Sequence, residues 1–344
     1  MRVGIIGAGG IGRTHAQAVL AAGGGAGLAG FYDVDASRAA LVAGGLGVPA
    51  FTCVDAFYEA VDAVVVASPN RTHASYVCEA VDRGRHVLCE KPMAVSVDET
   101  LAMRDRAAGA PVVCCVGFNY RCLGVVREIR RQIDEGVLGR VLHVDLAFRR
   151  GSALTRKTFT WRDNAAERFT SGALGDLGVH LIDLLHHLFD SEVDTGFCQA
   201  GLRTKVAAKE GRTVCVDDHA FVSGRLTGGP HFTLTASKSA TPEDIGFRVA
   251  VTGTRGELLY HSQDGPVLNV RTGVEWEAVK VLDTFGLADP PGEIPGWADS
   301  FVAQFQNWTA AVAGTGGVEA LAGFDDGHRA QQVLEELLRR GTAG

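Results

Sequence analysis

The chain has 344 residues, 46% of them hydrophobic, and a formal net charge of −7. That length suits two domains with sizeable cores, and the acidic balance argues against a nucleic-acid binder, which presents a basic face. The longest apolar runs, such as DAVVVAS, are far too short to span a bilayer.

The first third alternates short apolar runs with helical patterns. RVGIIGA reads as a strand and GRTHAQAVLAA as a helix ended by the glycines Gly23 to Gly25. LAGFYDV, VDAVVVASP, RHVLCEKP and PVVCCVGFN read as further strands, with helices SRAALVAGGLG, THASYVCEAVDRG and VDETLAMRDRAAGA between them. Apolar strands alternating with helices predict a parallel sheet with crossover helices. No basic segment, apolar core or cleavage site precedes the first strand, so a cytoplasmic protein is expected, with no membrane or nucleic-acid partner. The eight cysteines form no C-x-x-C pair, and several lie in strand-like runs, so they are expected to be reduced and structural.

Beyond about residue 120 the pattern changes. A helix, CLGVVREIRRQIDEGVLG, precedes strand-like RVLHVDLAFRR, a loop carrying Trp161, and the polar-studded helix GALGDLGVHLIDLLHH. Alternating runs such as HAFVSGRLTGGPHFTLTASKS and GFRVAVTGTRGELLYH then predict an antiparallel sheet with one solvated face. Two closing helices, ADSFVAQFQNWTAAVAG and GHRAQQVLEELLRR, end the chain. The expected domains are 1–120 and 121–344.

GIIGAGGIGRTH contains G-x-G-x-x-G as Gly7, Gly9 and Gly12, after a strand and opening a helix, which is the context of a dinucleotide fingerprint. Gly7 permits the tight turn, Gly9 lets backbone approach a pyrophosphate, and Gly12 lets helix pack on strand. The loop, Gly10 and Ile11 included, ends in free helical N–H groups that suit phosphate. Asp33 ends the second strand, where an acid binds the ribose hydroxyls of NAD and repels the 2′-phosphate of NADP; the alternative is an ordinary turn aspartate. Ser37 and Arg38 leave NADP open, although Arg38 reads equally as a surface residue. ASPNRTH follows a strand end, so Ser68, Pro69, Asn70 and His73 are candidates for the adenosine–pyrophosphate side, against a plain capped turn. CEKP places Glu90 and Lys91 at the next strand end, where a lysine can donate to a substrate hydroxyl and stabilise alkoxide charge, or simply be solvated.

In combination these motifs resemble the Gfo/Idh/MocA family of oxidoreductases: the G-x-G-x-x-G loop, S-P-N-x-x-H, E-K-P, GFNYR and the later D-L-G-x-H-x-x-D helix. The resemblance covers nearly the whole chain. It implies an N-terminal Rossmann domain binding NAD or NADP, and a C-terminal α+β domain with an open, mainly antiparallel sheet that covers the substrate and often mediates oligomerisation, so a homodimer or homotetramer. It implies Lys91, Asp176 and His180 as the catalytic group, Glu90, Lys91 and Asn119 near the cofactor, and Arg121, Trp161 and Asp183 near the substrate. The chain departs from the family with NYRCLG and SGALGD, changes on the substrate side.

On a helix, Asp176 and His180 are i and i+4 and therefore neighbours, with Asp183 on the same face. A carboxylate beside an imidazole fixes its tautomer and raises its basicity. His180, Asp183 and His187 also have metal-compatible spacing, but no H-E-x-x-H or Cys/His pair completes a site, and no metal is expected. His186 and His187 read as bystanders. The expected activity is NAD(P)-dependent oxidation of a secondary alcohol of a cyclitol or sugar, nucleotide sugars included, or the reverse. The alternatives are an NAD-dependent glycosidase and a non-catalytic sugar sensor.

Overall fold

The computed structural model describes residues 1–341 apart from Gly24, Arg168 and residues 282–284. Gly24, expected within the glycine stop of the first helix, lies outside the described residues. The chain divides into two compact units, 1–122 with 298–331, and 123–297 with 332–344.

In the first unit β1 (Arg2–Ile6), α1 (Gly10–Ala22), β2 (Gly27–Tyr32), α2 (Ala36–Leu46), β3 (Ala50–Phe51), α3 (Val54–Ala60), β4 (Ala63–Val66), α4 (His73–Asp82), β5 (His86–Cys89), α5 (Val97–Ala108) and β6 (Cys114–Val116) follow in turn. β4 reads AVVV and is buried along its whole length. That uninterrupted apolar run is what a strand covered by helices on both faces requires. Helix starts are set locally: Asp35 and Ser96 cap α2 and α5 by accepting backbone N–H bonds from Arg38 and Glu99.

In the second unit α6 (Gly124–Asp134), β7 (Val141–Arg149), α7 (Ser152–Thr155) and α8 (Val179–Phe189) are followed by β8 (Gln199–Arg203), the small hairpin β9 (Ala208–Lys209) and β10 (Arg212–Thr213), then β11 (His219–Arg225), β12 (His231–Ser237), β13 (Gly246–Gly253), β14 (Glu257–His261), β15 (Val267–Arg271) and β16 (Glu277–Lys280). Eight strands form an open sheet in the order β16-β15-β14-β13-β7-β12-β11-β8. Only the β7–β12 pair is parallel; the other pairs are antiparallel. One face is core: Val144, Leu146, Phe148, Ala220, Val222, Leu234 and Val249 are each at most 2% exposed. Alternates on the same strands such as His143, Asp145, Phe221, Ser223 and Arg248 are polar or part-exposed, the mark of a half-covered sheet.

The closing segment corrects the expected boundary at the C-terminal end. Of α9 (Trp297–Val312), β17 (Ala322–Gly323) and α10 (Phe324–Gly341), most belongs to the first unit rather than the second. β17 pairs antiparallel with β6 and covers its edge. Phe305 and Trp308 of α9 join Val3, Ile5, Phe31, Val65 and Leu88 in one core. The first sheet then reads β17-β6-β5-β4-β1-β2-β3, with its order reversing between β1 and β4, the point where such sheets receive nucleotides. The apolar pattern of α9 shows that it is amphipathic, but not which core its apolar face enters. Among the described residues no helix is long and apolar enough to cross a membrane.

Trp308 is fully buried, sets its ring edge-on to Phe305 at 5.9 Å and donates its indole N–H to the Val113 carbonyl at 3.3 Å. Trp308→Ala should lower the stability of the first unit by about 3–5 kcal/mol in denaturant melts. A loss below about 1 kcal/mol would place α9 outside that core.

Candidate active site

In the first unit, β1 runs into the glycine loop. Gly7 has φ +102°, and a Cβ there would stand 2.6 Å from the Ala67 carbonyl oxygen. A Cβ on Gly12 would meet the Gly7 carbonyl oxygen at 1.9 Å, so helix and turn touch backbone to backbone. Around Gly9 and Gly10 there is open space. No side chain caps α1 behind Gly9, so the N–H groups of Gly10, Ile11 and Gly12 remain available at the helix's positive end.

Asp33 does more than its position suggested. Its carboxylate accepts the Ala8 N–H at 2.8 Å and the Asp35 N–H at 2.9 Å, fastening the glycine loop to the end of β2. Each oxygen keeps a further lone pair, so ribose hydroxyls can still be accepted. Arg38 is half exposed, pairs with Asp35 at 3.0 Å and lies 3.7 Å from Asp33. After β4, the Ser68 and Thr72 hydroxyls share a 2.7 Å bond, and Thr72 also donates to the Pro69 carbonyl at 2.7 Å, which closes the turn carrying Asn70.

Three expected contact residues turn out to be internal. His73 is fully buried, with its ring nitrogens 3.0 Å from the Pro92 carbonyl and 2.8 Å from the Ser68 carbonyl. It ties the Ser68 and Pro92 loops together. Burial holds its pKa below the ordinary histidine value, so the neutral ring donates to one carbonyl at a time. Asn119 gives its amide N–H to Ser300 at 2.8 Å. Arg121 is 5% exposed and reaches the Leu321 carbonyl at 3.3 Å and Asp326 at 3.4 Å. The chain makes a buried 3-10 turn over Asn119–Cys122. Asn119 therefore reaches α9 and Arg121 the start of α10.

At the end of β5, Glu90 is buried and accepts two bonds, from Nε2 of His15 at 2.7 Å and from the Lys91 N–H at 3.1 Å. Burial alone would raise its pKa; the His15 hydrogen bond and charge, with Lys91 nearby, outweigh that and hold it below the ordinary glutamate value. Glu90 thus braces Lys91 from behind. The Lys91–Pro92 peptide is cis. His15, one turn into α1, was not legible as a site residue; its only signal is a histidine on the buried face of the nucleotide-loop helix.

In the second unit the segment carrying Asp176 is not the regular helix expected. Leu174–Gly178 is a π-helical turn that feeds α8. Asp176 therefore lies inside a widened turn with His180 just after it, and the two are not stacked as in an α-helix. The turn is tightly packed: a Cβ on Gly175 would lie 2.1 Å from the Thr170 carbonyl oxygen, and one on Gly178 2.8 Å from Leu174. Such wide turns recur at functional sites. His180 and Asp183 are 4% and 1% exposed, and His186 is buried near Glu192. Asp176 pairs with Lys238 at 2.9 Å, and Lys238 also donates to the Ser171 carbonyl at 3.1 Å. Lys238 escaped the sequence reading, although a lysine in the apolar strand end LTASKSA is its trace.

Trp161 sits on a turn that Thr160 and Asp163 close as a capping box, and the Arg162 guanidinium stacks over it at 4.1 Å. Asp163 pairs with Arg156 at 2.6 Å and with buried Lys209 at 2.9 Å. Asp217 holds the start of the π-turn. It accepts the Leu174 N–H at 2.9 Å through its side chain and the Ala173 N–H at 2.9 Å through its carbonyl. Among the described residues no group of three or more His, Cys, Asp or Glu side chains is placed to hold a metal ion.

A glycine turn opening a helix at the switch point of a parallel sheet, with an acid on its second strand and a braced lysine on a later one, defines a dinucleotide-dependent oxidoreductase. The chain belongs to the Gfo/Idh/MocA oxidoreductase family. Residues 1–118 match its NAD-binding Rossmann fold, and residues 130–340 its C-terminal alpha/beta domain. It is 41% identical to glucose-6-phosphate 3-dehydrogenase of Bacillus subtilis over 99% of this chain and 96% of that one. It is 29% identical to inositol 2-dehydrogenase 2 of Paenarthrobacter aurescens over 98% and 95%. A structure of levoglucosan dehydrogenase in complex with NADH and levoglucosan shares the fold with a TM-score of 0.88 at 22% identity, over 99% of this chain and 97% of that one. The cofactor of the first unit is accordingly NAD.

Burial pushes the Asp217 carboxyl up to about 6. A carboxyl that binds its proton more tightly when folded lends stability at low pH and loses it as pH rises. That contribution is complete below about pH 4 and gone above about pH 6, worth about 3 kcal/mol at roughly 1.4 kcal/mol per pH unit. Asp217→Asn keeps an acceptor for Leu174 and should flatten this pH 4–6 slope in thermal melts. An unchanged slope would assign it to another group.

Proposed function

We propose that the protein oxidises a secondary ring hydroxyl of a sugar or cyclitol to a ketone with NAD, and that its preferred substrate is a phosphorylated hexose. The observation that carries this reading is the near full-length similarity to glucose-6-phosphate 3-dehydrogenase. The basic groups about Asp176 support it: Lys238 pairs with Asp176, and Arg162 lies close enough to feel its charge.

Bound NAD supplies the hydride acceptor at its nicotinamide. The chain's own groups handle the proton and the oxygen. His180 takes the hydroxyl proton as the C–H bond breaks and the C=O bond forms, and returns it in the reverse direction. Lys91, held by the Glu90 brace, donates to the same oxygen and stabilises its alkoxide character. Asp176, set by Lys238, orients the acid–base group, and Asp183 and Trp161 shape the substrate side. Gly7, Gly9, Gly10, Ile11 and Gly12 take the pyrophosphate. Asp33 takes the ribose, which favours NAD over NADP because a 2′-phosphate would meet its charge. Ser68, Pro69 and Asn70 flank the adenosine side.

NADH formation should be steady with a hexose 6-phosphate and slower with the free hexose or with inositols. His180→Ala should lower kcat by about 10²–10⁴-fold and leave NAD affinity unchanged. An unchanged rate would remove His180 as the base. Tight NAD binding with no net NADH from any polyol would favour the glycosidase or sensor reading instead.

A further inference from the structure

At one end of the second sheet the strand register sets four side chains in a lateral row. Arg203 of β8 stands opposite His219 of β11, His219 opposite Ser237 of β12, and Ser237 beside Arg149 of β7. Their neighbours Phe148, Ala220 and Ala236 are buried in the core, so alternation turns the row to the other face. The row lines a cleft of about 370 Å³, whose walls add Thr204, Lys205, Ser239, Thr241 and Asp244.

The charge is lopsided. Three permanent cations, Arg149, Arg203 and Lys205, line the cleft with a histidine, against the single carboxylate of Asp244. Among the described residues none of the three cations forms an ion pair. Arg203 donates to its neighbour's carbonyl, that of Leu202, at 2.7 Å, and Lys205 to the Ser239 carbonyl at 3.4 Å. The one buried carboxylate beneath, Asp218, is already committed. It accepts the N–H groups of Lys205 and Val206 at 3.0 and 2.7 Å and the Ser239 hydroxyl at 2.9 Å, which fixes the loops forming the walls.

Like charges lining one cleft repel and cost stability, and these side chains serve no core. An anion removes that repulsion. Arginine matches tetrahedral oxyanions through paired N–H groups, and the hydroxyls of Ser237, Thr204 and Thr241 suit the remaining oxygens. Arg149 and Arg203 lie three strand spacings apart, about 14 Å, a span that two arginines folding inward close around one group.

We propose that this cleft binds a phosphoryl group, as free phosphate or as the phosphomonoester of a sugar. Binding of free phosphate does not depend on the function proposed above, whereas binding of a substrate phosphomonoester rests on it. Calorimetric titration of the full chain with inorganic phosphate, at constant ionic strength, should give saturable binding. Arg149→Gln/Arg203→Gln should weaken it by about tenfold or more, the loss of two charge-assisted contacts. Lys205→Gln, on an exposed loop, should weaken it less and guards against misfolding of the double variant. Kinetics then separate the two sources. A raised KM for glucose 6-phosphate with kcat and the glucose KM unchanged points to the substrate's own phosphoryl group. Unchanged KM values alongside weakened phosphate binding point to free phosphate. No saturable heat in the wild type, or equal affinity in all three proteins, would overturn the proposal.

Discussion

Backbone touching backbone is the contact on which the first unit depends. With the Gly12 Cβ position 1.9 Å from the Gly7 carbonyl, α1 can lie against the end of β1 only because Gly12 lacks a side chain, and the turn can pass the Ala67 backbone only because Gly7 lacks one. That approach aims the N-terminus of α1 at the opening between β1 and β4. Everything else in the loop is fastened to it. Asp33 holds Ala8 from β2, and His15 on the same helix holds Glu90, which in turn holds the Lys91 amide. The nucleotide turn and the lysine edge are therefore parts of one braced assembly, and the brace is a buried acid–imidazole pair whose side chains are 8% and 2% exposed. Such pairs are costly to break, because either partner left alone is a desolvated charge or an orphaned polar group.

The second unit solves a similar problem by similar means. Gly172, Gly175 and Gly178 let the chain turn tightly, with Asp217, Thr170 and Leu174 occupying the space a Cβ would need. The result is a π-turn that shifts Asp176 relative to His180 and hands it to Lys238. Charges there are balanced locally: Asp163 between Arg156 and Lys209, Asp176 against Lys238. Asp217 is the exception. Burial pushes its carboxyl up to about 6 even with the Lys238 charge nearby, and it accepts the Leu174 N–H.

Legibility differed by the kind of information involved. The parallel sheet, the glycine loop and the antiparallel second domain were readable, because each is written as a local period or a short fingerprint. So was the family, through motifs spread along the chain. The burial of His73, Asn119 and Arg121 was not. Their neighbours in sequence mark a strand edge, but that the Pro92 loop closes over His73, α9 over Asn119 and α10 over Arg121 is a long-range matter. The return of α9 and β17 to the first sheet was missed for the same reason. A strand of two residues, Ala322–Gly323, has no period to read.

By itself the sequence determined the fold class, the nucleotide fingerprint and the set of residue types able to move a proton and a hydride, because these rest on spacing along the chain. Tertiary structure alone decided which polar groups are committed to partners within the scaffold. Asp33 does a scaffold task beside its expected one, His15 and Lys238 enter as supports, and His73 and Arg121 leave the surface. The physical reason is desolvation. A buried polar group must find a partner within hydrogen-bond reach, and that partner is supplied by elements distant in the chain: β5 for His15, α10 for Arg121, the end of β12 for Asp176.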